Sequence, residues 1–229
     1  MTNLQIAIDG PAGSGKSTAA RQVAKELGYI YVDTGALYRA VALVALRQKI
    51  DCSDENLLAR LAQTLDVDIR PQSDGNPAYF IKGEEVTDKL RSPEVNNIVS
   101  QVAKIPAVRT AVTQKLQAIG NLGGIVMDGR DIGTVVLPTA EVKVFLTADL
   151  ATRVARRQQE LLERGFDLPS DVVKEEVLKR DHEDSKRMLA PLKPASDAYI
   201  LDTTKLTPEQ VVQTIVDLVR QKQQQQLSS

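Results

Sequence analysis

Nine consecutive residues near the N-terminus contain the eight-residue phosphate-binding pattern G-x-x-x-x-G-K-[ST] and one further hydroxyl residue after it. They are Gly10, Pro11, Ala12, Gly13, Ser14, Gly15, Lys16, Ser17 and Thr18. Glycines at these positions let backbone N–H groups turn toward phosphate oxygens, and the start of the following helix adds further donors. We expect the Lys16 ammonium to reach the β- and γ-phosphates and the Ser17 hydroxyl to ligate Mg²⁺ together with waters and phosphates. The loop predicts a nucleoside triphosphate site and leaves the phosphate acceptor open.

A second cluster, Asp33-Thr34-Gly35-Ala36-Leu37-Tyr38-Arg39, follows the next apolar run. Thr34 is placed to begin a helix and to face a phosphate, and the Arg39 guanidinium has the planar fork that grips phosphate with two hydrogen bonds. The alternative is an ordinary helix start with a solvated arginine. Asp33 ends its strand, as Asp128 ends another, and both are candidates to support the water ligands of the metal ion.

A third cluster, Asp128-Gly129-Arg130-Asp131, ends another apolar run. Two carboxylates and a guanidinium are concentrated around one glycine, directly after a strand that the pattern predicts to be buried. Such charge clusters mark functional sites more often than surface turns. We therefore predict functional roles for Arg130 and Asp131.

Arginines concentrate late in the chain at helical spacing. Arg153, Arg156 and Arg157 share one predicted helix face, and Arg180, Asp184 and Arg187 share another. Like charges on one face repel unless an anion lies between them, and phosphoryl transfer places such an anion among positive groups. We predict roles in catalysis for Arg157, Arg180 and Arg187 beside Lys16 and Arg130, whereas a solvated helix explains Arg153 and Arg156 equally well.

The elements that must position these residues alternate between strand and helix. Near-continuous apolar runs predict five strands, at residues 4–9, 29–33, 124–128, 142–146 and 199–202. Runs of this kind are typical of parallel strands that are buried on both faces. The pattern predicts an α/β fold with a doubly wound, five-stranded parallel sheet, whose ligands bind beyond the carboxyl ends of the strands.

Two segments interrupt this alternation. Residues 34–121 are too many for a simple crossover, and short strands at 67–70 and 79–82 predict a small antiparallel β insert, at about 65–88. Gly and Pro between two charged helices, at 164–170, predict a lid tip. The predicted parts are a core of residues 1–33 and 122–220, an acceptor-binding part of 34–121, a short helical lid of 157–172 and a flexible tail of 221–229.

Composition excludes several classes of partner. The 229 residues carry a net charge of −1, so the chain has no basic field for nucleic acid, and only 3% of them are aromatic. Cys52 is the only cysteine, which fits a reducing compartment. No charged-then-apolar leader and no run of eighteen apolar residues occurs. We expect a cytoplasmic monomer that binds neither nucleic acid nor membranes.

Taken together, the clusters resemble those of bacterial cytidylate kinases. The resemblance rests on the phosphate loop, the 33–39 cluster, Arg-Asp-Ile-Gly-Thr-Val-Val-Leu-Pro at 130–138 and the charged stretch at 180–198, and it covers residues 6–219. It implies a nucleoside monophosphate kinase fold, similar to adenylate kinase, with a core, an acceptor-binding part and a lid. It also implies transfer from ATP to CMP or dCMP with Mg²⁺, giving ADP and CDP or dCDP.

The resemblance also implies roles for individual residues. These are Thr34 and Arg39 for the acceptor nucleotide and its phosphate, Ser100, Arg109 and Asp131 for cytosine, Arg130, Arg180 and Arg187 for phosphates, and Asp184 for the pentose. A carboxylate at Asp131 would accept from the cytosine amino group, whereas uracil presents a carbonyl there. Unpaired polar groups of this kind give large selectivity, so we expect CMP to be preferred over UMP.

Two other functions remain open from the residues themselves. Another phosphate-loop kinase, acting on UMP, AMP, a deoxynucleoside or a small hydroxylated metabolite, would share the loop, the fold and the lid. The combination of Ser100, Arg109 and Asp131 argues against it. A nucleotide-dependent switch would need no acceptor site, and the arginines on the acceptor and lid sides argue against that reading.

Overall fold

The computed structural model describes residues 3–72, 75–163 and 165–227. Helices and strands alternate along most of the chain. In chain order they are β1 (Gln5–Asp9), α1 (Lys16–Leu27), β2 (Ile30–Asp33), α2 (Thr34–Arg47), α3 (Glu55–Thr64), β3 (Asp68–Pro71), β4 (Pro77–Ile81), β5 (Glu84–Glu85), α4 (Pro93–Val102), α5 (Pro106–Gly120), β6 (Ile125–Gly129), β7 (Val142–Thr147), α6 (Leu150–Glu163), α7 (Ser170–Ser185), β8 (Tyr199–Asp202) and α8 (Pro208–Leu227).

A five-stranded sheet has the order β2-β6-β1-β7-β8. Strand β1 pairs in parallel with both β6 and β7, and β7 pairs in parallel with β8. The central strands are mostly apolar because both faces are covered: Ile6, Ile8 and Val126 have no exposed surface. The predicted α/β class and the five-stranded parallel sheet are confirmed.

The chain divides into two compact units. The first comprises Met1–Tyr29 and Gly123–Ser229, and the second comprises Ile30–Leu122. In the first unit α1 and α8 pack against each other, and α1 also contacts β6. The second unit contains α2 to α5 and a small sheet. Whether these units act as the predicted core and acceptor-binding part stays a prediction.

The small sheet of the second unit is antiparallel and has the order β3-β4-β5. Ile69 lies opposite Tyr79, and Phe80 lies opposite Glu85. Lys82 and Gly83 both have positive φ, of 51° and 81°, which suits the two-residue turn between β4 and β5. The predicted β insert is confirmed, although two of its turn residues, Ser73 and Asp74, lie outside the described residues.

Helices α6 and α7 of the first unit pack together through one apolar cluster. It consists of Val154, Leu161, Val173 and Val177, with Leu150 and Leu168 against it. This helix pair spans the predicted lid, of which Arg164 lies outside the described residues. Movement of the lid stays a prediction.

The C-terminal helix α8 extends through most of the predicted tail. Residues 221–227 are helical, and the Gln223 side chain donates a hydrogen bond to the Tyr29 hydroxyl at 3.2 Å. Ser228 and Ser229 lie outside the described residues. The predicted flexibility of 221–229 stays a prediction.

Candidate active site

The phosphate loop lies between the end of β1 and the start of α1, as predicted. Gly13 and Gly15 have φ of 74° and 85°, in the left-handed region that favours glycine. A Cβ on Gly13 would lie 2.5 Å from the Arg153 carbonyl oxygen, and one on Gly10 would lie 2.2 Å from that of Leu146. The loop backbone therefore needs glycine at these positions, both for its conformation and for its close neighbours.

The Lys16 side chain is buried beside the loop that it belongs to. It is 8% exposed, and its Nζ donates to the Pro11 carbonyl oxygen at 3.2 Å. Burial, reinforced by the nearby Arg130, lowers the pKa of Lys16 from 10.5 to about 7. Polyphosphate beside Nζ would favour the charged form, because an opposite charge opposes the effect of burial.

Ser17 at the start of α1 meets Asp128 at the end of β6. The Ser17 hydroxyl donates to Asp128 Oδ2 at 2.7 Å, and Asp128 is only 2% exposed. A hydroxyl and a carboxylate are the oxygen donors that Mg²⁺ prefers. No group of three or more His, Cys, Asp or Glu side chains is arranged as a metal site within the described ranges. These residues thus fit a magnesium ion that takes most of its ligands from phosphates and waters.

Arg130, Asp184 and Arg187 form a charged cluster beside the loop. Arg130 Nε donates to Asp184 Oδ2 at 2.5 Å, and its Nη1 donates to the Gly10 carbonyl oxygen at 3.0 Å. Arg187 donates to the other oxygen of Asp184. Burial raises the pKa of Asp184, but Arg130 and Arg187 outweigh it and the net pKa is lowered. Three predicted site residues are thus brought together, with the ionised Asp184 carboxylate between two guanidinium groups.

Arg157 and Arg180 share a carboxylate on α7. Arg157 Nη2 donates to Glu176 Oε1 at 2.9 Å, and Arg180 Nη1 lies 3.7 Å from the same oxygen. Arg157 also pairs with Glu160 at 3.0 Å. Burial lowers the pKa of Arg157, but the two glutamates outweigh it and raise the net pKa. The predicted lid arginines therefore neighbour each other, and their role in catalysis stays a prediction.

Arg153 and Arg156, which the spacing left undecided, both donate to carbonyls of the phosphate loop. Arg153 is 9% exposed and donates to Ala12 O at 3.3 Å and to Asp181 Oδ2 at 2.5 Å. Arg156 donates to Ser14 O at 3.5 Å and to the Thr203 hydroxyl at 2.8 Å. These arginines are therefore structural supports of the loop.

Thr203 was missed by sequence reasoning. Its hydroxyl oxygen lies 3.2 Å from Ser14 O and 3.0 Å from Thr147 O, so its single proton is shared between two carbonyls, which ties the loop to the ends of two strands. The available signal was its place directly after β8, since ligand sites gather at the carboxyl ends of parallel strands.

Asp9 holds the turn that follows Arg130 and Asp131. Its two carboxylate oxygens accept from the backbone N–H groups of Ile132 and Gly133, each at 2.8 Å. Burial raises the pKa of Asp9 to about 6, although these hydrogen bonds oppose the shift. The turn, a single π-helical one at Ile132–Val136, is thereby anchored to the end of β1.

In the second unit, Asp33 lies between two arginines. Asp33 Oδ2 accepts from Arg91 Nη2 at 2.9 Å and lies 3.6 Å from Arg39 Nη1. Thr34 is buried at the start of α2. Asp33 was predicted as a candidate to support a metal ion, yet its Oδ2 atom is engaged by two guanidinium groups.

The predicted cytosine contacts of this unit lie on two helices. Ser100 is half-buried on α4, and Arg109 is 5% exposed on α5. The Arg109 guanidinium donates to Ala103 O at 3.3 Å and lies 5.4 Å from the centre of the Tyr38 ring. The buried guanidinium is held by the carbonyl at the end of α4 and by an aromatic face.

Comparison with known proteins decides the family. The family model described as cytidylate kinase matches residues 6–221. The chain belongs to the cytidylate kinase family. Curated relatives named cytidylate kinase include one from Pelotomaculum thermopropionicum, 49% identical over 92% of this chain and 93% of its own length. Those from Geobacillus sp. and Bacillus subtilis are 48% and 46% identical, each over 96% of this chain and 98% and 97% of their own lengths.

Solved structures resemble this member of the cytidylate kinase family more distantly. TT1252 from Thermus thermophilus is 20% identical, with a TM-score of 0.45 over 95% of this chain and 98% of that one. Family membership rests on the sequence matches. Among the helices of the described ranges, none has an apolar stretch long enough to cross a membrane.

The acceptor residues expected for a cytidylate kinase divide between the two units. Thr34, Arg39, Ser100 and Arg109 belong to the second, and Arg130, Asp131, Arg180, Asp184 and Arg187 belong to the first. Within the first unit, Asp184 joins Arg130 to Arg187. Contact of either set with an acceptor nucleotide stays a prediction.

Proposed function

We propose that this chain transfers the γ-phosphoryl group of ATP to the phosphate of CMP or dCMP, giving ADP and CDP or dCDP. Apart from family membership, one observation supports the proposal most directly: Arg130 donates a hydrogen bond of 3.0 Å to the Gly10 carbonyl oxygen of the phosphate loop. It brings a guanidinium of the acceptor set against the loop that holds the donor. Donor binding and charge stabilisation are thus adjacent within one unit.

The donor is held by the phosphate loop. Backbone N–H groups of the loop and the first turn of α1 bind the phosphates, and Lys16 approaches the β- and γ-phosphates. The Ser17 hydroxyl oxygen would ligate a magnesium ion, and the Asp128 carboxylate would support the water ligands of that ion. When bound, that ion neutralises charge on the phosphate oxygens.

The chain's arginines stabilise the transferring group. Arg130, Arg157, Arg180 and Arg187 supply positive charge around a phosphoryl group whose negative charge is spread over its oxygens. Asp184 and Glu176 hold these guanidinium groups in place before substrate arrives, which lowers the reorganisation needed during transfer. The acceptor phosphate is already an anion, so alignment replaces a general base.

The acceptor is recognised by the residues that the cytidylate kinase resemblance assigns to it. Thr34 and Arg39 hold the nucleotide and its phosphate, Ser100 and Arg109 contact the base, and Asp131 accepts from the cytosine amino group. Asp184, which Arg130 and Arg187 keep ionised, faces the pentose. UMP is rejected because its O4 carbonyl would meet the Asp131 carboxylate, acceptor against acceptor.

We further propose that residues 157–172 close over the substrates and that the enzyme works in the cytoplasm as a monomer. Closure excludes water that would otherwise hydrolyse ATP. The apolar cluster between α6 and α7 is buried, so the parts of these helices within the lid stay packed together during closure.

A screen of acceptors tests the function. Purified protein is given ATP, Mg²⁺ and each nucleoside monophosphate in turn, and ADP formation is measured. We expect ADP with CMP and dCMP, and none above background in a Lys16→Met control. Equal rates with UMP or AMP would indicate another monophosphate kinase, and hydrolysis unaffected by any monophosphate would indicate a nucleotide-dependent switch. Either result contradicts the proposal.

A further inference from the structure

Asp33 occupies the N-cap position of α2 without capping the helix through its side chain. Aspartate at this position usually accepts a hydrogen bond from the first turn. Here Oδ2 instead accepts from Arg91 Nη2 at 2.9 Å and lies 3.6 Å from Arg39 Nη1. Two guanidinium groups from different elements therefore meet at one carboxylate oxygen, which makes them neighbours.

Arg39 has donors that the protein does not satisfy. Its Nε and Nη1 are buried and have no hydrogen-bond partner among the described residues. An unsatisfied buried donor is costly, and charged donors are the costliest. These N–H groups are therefore suited to an anionic ligand.

Gly35 provides the space for this arrangement. A Cβ on Gly35 would lie 2.8 Å from Arg39 Nη1 and 3.0 Å from Asp33 Oδ1. Glycine within the first turn of a helix is otherwise unfavourable relative to alanine. The absence of a side chain at this residue lets the guanidinium lie against the start of α2.

Arg91 follows the β insert and belongs to a short 3₁₀ turn at Lys89–Arg91. Its side chain is 44% exposed although it is hydrogen-bonded to Asp33. Its Nη2 atom is held by Asp33 while the side chain is partly exposed to solvent, so a ligand anion can approach the guanidinium at this place. Paired arginines of this kind match the geometry of a phosphate group.

We propose that Arg91 binds the phosphate group of the acceptor nucleotide together with Arg39, and that Asp33 positions both guanidinium groups rather than supporting a metal ion. The inference rests on the proposed function, because it presumes a nucleoside monophosphate acceptor. It adds Arg91 as a binding residue and gives Asp33 a role on the acceptor side.

The first test distinguishes binding of the acceptor's phosphate from binding of its base. In Arg91→Ala we expect the KM for CMP to rise about tenfold or more, since hydrogen bonds between charged groups are lost. The KM for ATP and the inhibition constant of cytidine, which lacks the phosphate, should not change. Arg70→Ala is the matched control, because Arg70 pairs with Asp68 in the same unit and is 57% exposed. An unchanged KM for CMP in Arg91→Ala, or equal weakening of cytidine, would overturn the inference.

Gly35→Ala provides an independent variant that should fold. The added Cβ displaces the flexible end of Arg39, so the KM for CMP should rise while the melting temperature is retained or increased. A wild-type KM for CMP in this variant would contradict the proposed arrangement.

Asp33→Asn separates positioning from metal support. We expect a higher KM for CMP, because a neutral amide holds two guanidinium groups less firmly. The Mg²⁺ concentration at half-maximal rate should not change, whereas Asp128→Asn should raise it. A shift in Mg²⁺ dependence like that of Asp128→Asn would overturn the role given to Asp33.

Failure of the proposed function would appear in the wild-type protein, as a different preferred acceptor. Failure of this inference would appear only in the variants. If the acceptor screen selects another monophosphate, the same comparison is made with that monophosphate and its nucleoside, with the same deciding results.

Discussion

The Ser17 hydroxyl donates a hydrogen bond of 2.7 Å to the Asp128 carboxylate, which joins the start of α1 to the end of β6. Asp128 is buried, whereas Ser17 is exposed at the loop. The pair places two oxygen donors beside the predicted triphosphate position without building a complete metal cage. Metal binding should therefore depend on nucleotide and on both residues.

Asp128→Asn should weaken the response to magnesium. We expect the Mg²⁺ concentration at half-maximal rate to rise about 10-fold to 100-fold, as is typical when a residue that orients a metal ligand is removed. The measurement is the initial rate against free Mg²⁺ at saturating ATP and CMP. Asp202→Asn, at the exposed end of β8, is the control. A magnesium curve that coincides with that of the control would remove Asp128 from the metal site.

Lys16 should take up a proton when ATP binds. Its pKa is lowered to about 7, so at pH 8 most of the side chains are neutral until phosphates favour the charged form. Calorimetry of ATP binding in two buffers of different ionisation enthalpy should report proton uptake in the wild type and none in Lys16→Met. Lys25→Met, on the same helix but exposed, should behave as the wild type. Identical uptake in Lys16→Met would contradict this assignment.

The same residue predicts a pH dependence of stability. The folded pKa of about 7 lies below the unfolded value of 10.5, so the unfolded chain binds more protons between these pH values. The contribution of Lys16 to the free energy of unfolding therefore rises from pH 7 to about pH 10. Denaturant unfolding of the wild type and Lys16→Met should diverge over this range, and parallel curves would refute the shift.

Asp9 should couple protonation to the turn that follows Arg130 and Asp131. Each of its oxygens accepts one backbone N–H, so an amide or a protonated acid leaves one N–H facing a donor. Asp9→Asn should lower kcat about tenfold at pH 7 through this lost anchor. The wild-type rate should fall toward that of the variant as the pH drops through about 6.

Comparing the wild type with Asp9→Asn isolates the effect of Asp9 on the pH dependence of the rate. The phosphate of the substrate also titrates near pH 6, but equally in both. The folded pKa of Asp9 lies above the unfolded value of 3.8, so its ionisation costs stability as the pH rises from about 4 to 6. Superimposable pH profiles of rate for wild type and Asp9→Asn would contradict the coupling.

Asp131→Asn should change acceptor selection. We expect kcat/KM for CMP to fall about a hundredfold or more, because the amide no longer complements the cytosine amino group as the carboxylate does. The KM for ATP should stay at its wild-type value, since Asp131 belongs to the acceptor set. Equal losses for CMP and ATP would indicate general damage and remove the role in base recognition.

Structural features that depend on consecutive residues are predicted well from the sequence. The phosphate loop, the five strands and the antiparallel insert are confirmed because strand periodicity and turn chemistry are local. The roles of Arg153 and Arg156 were undecidable at that level. Their partners Ala12 and Ser14 are about 140 residues away in the chain, and only the fold brings them together.

Asp33 illustrates the same limit at the candidate site. Its place at a strand end, close in sequence to the phosphate loop, suggested metal support, but Arg91 approaches it from 58 residues away. A carboxylate can bind either a metal ion or a guanidinium group, so the residue type alone does not distinguish these roles. Only the neighbours decide which, and those follow from packing.

One competition measures the central claim directly. Equal concentrations of CMP and UMP are incubated with γ-labelled ATP and Mg²⁺, and labelled CDP and UDP are quantified at low conversion. The ratio equals the ratio of the two kcat/KM values, and we predict at least about a hundredfold excess of CDP. Equal labelling of CDP and UDP would contradict the account.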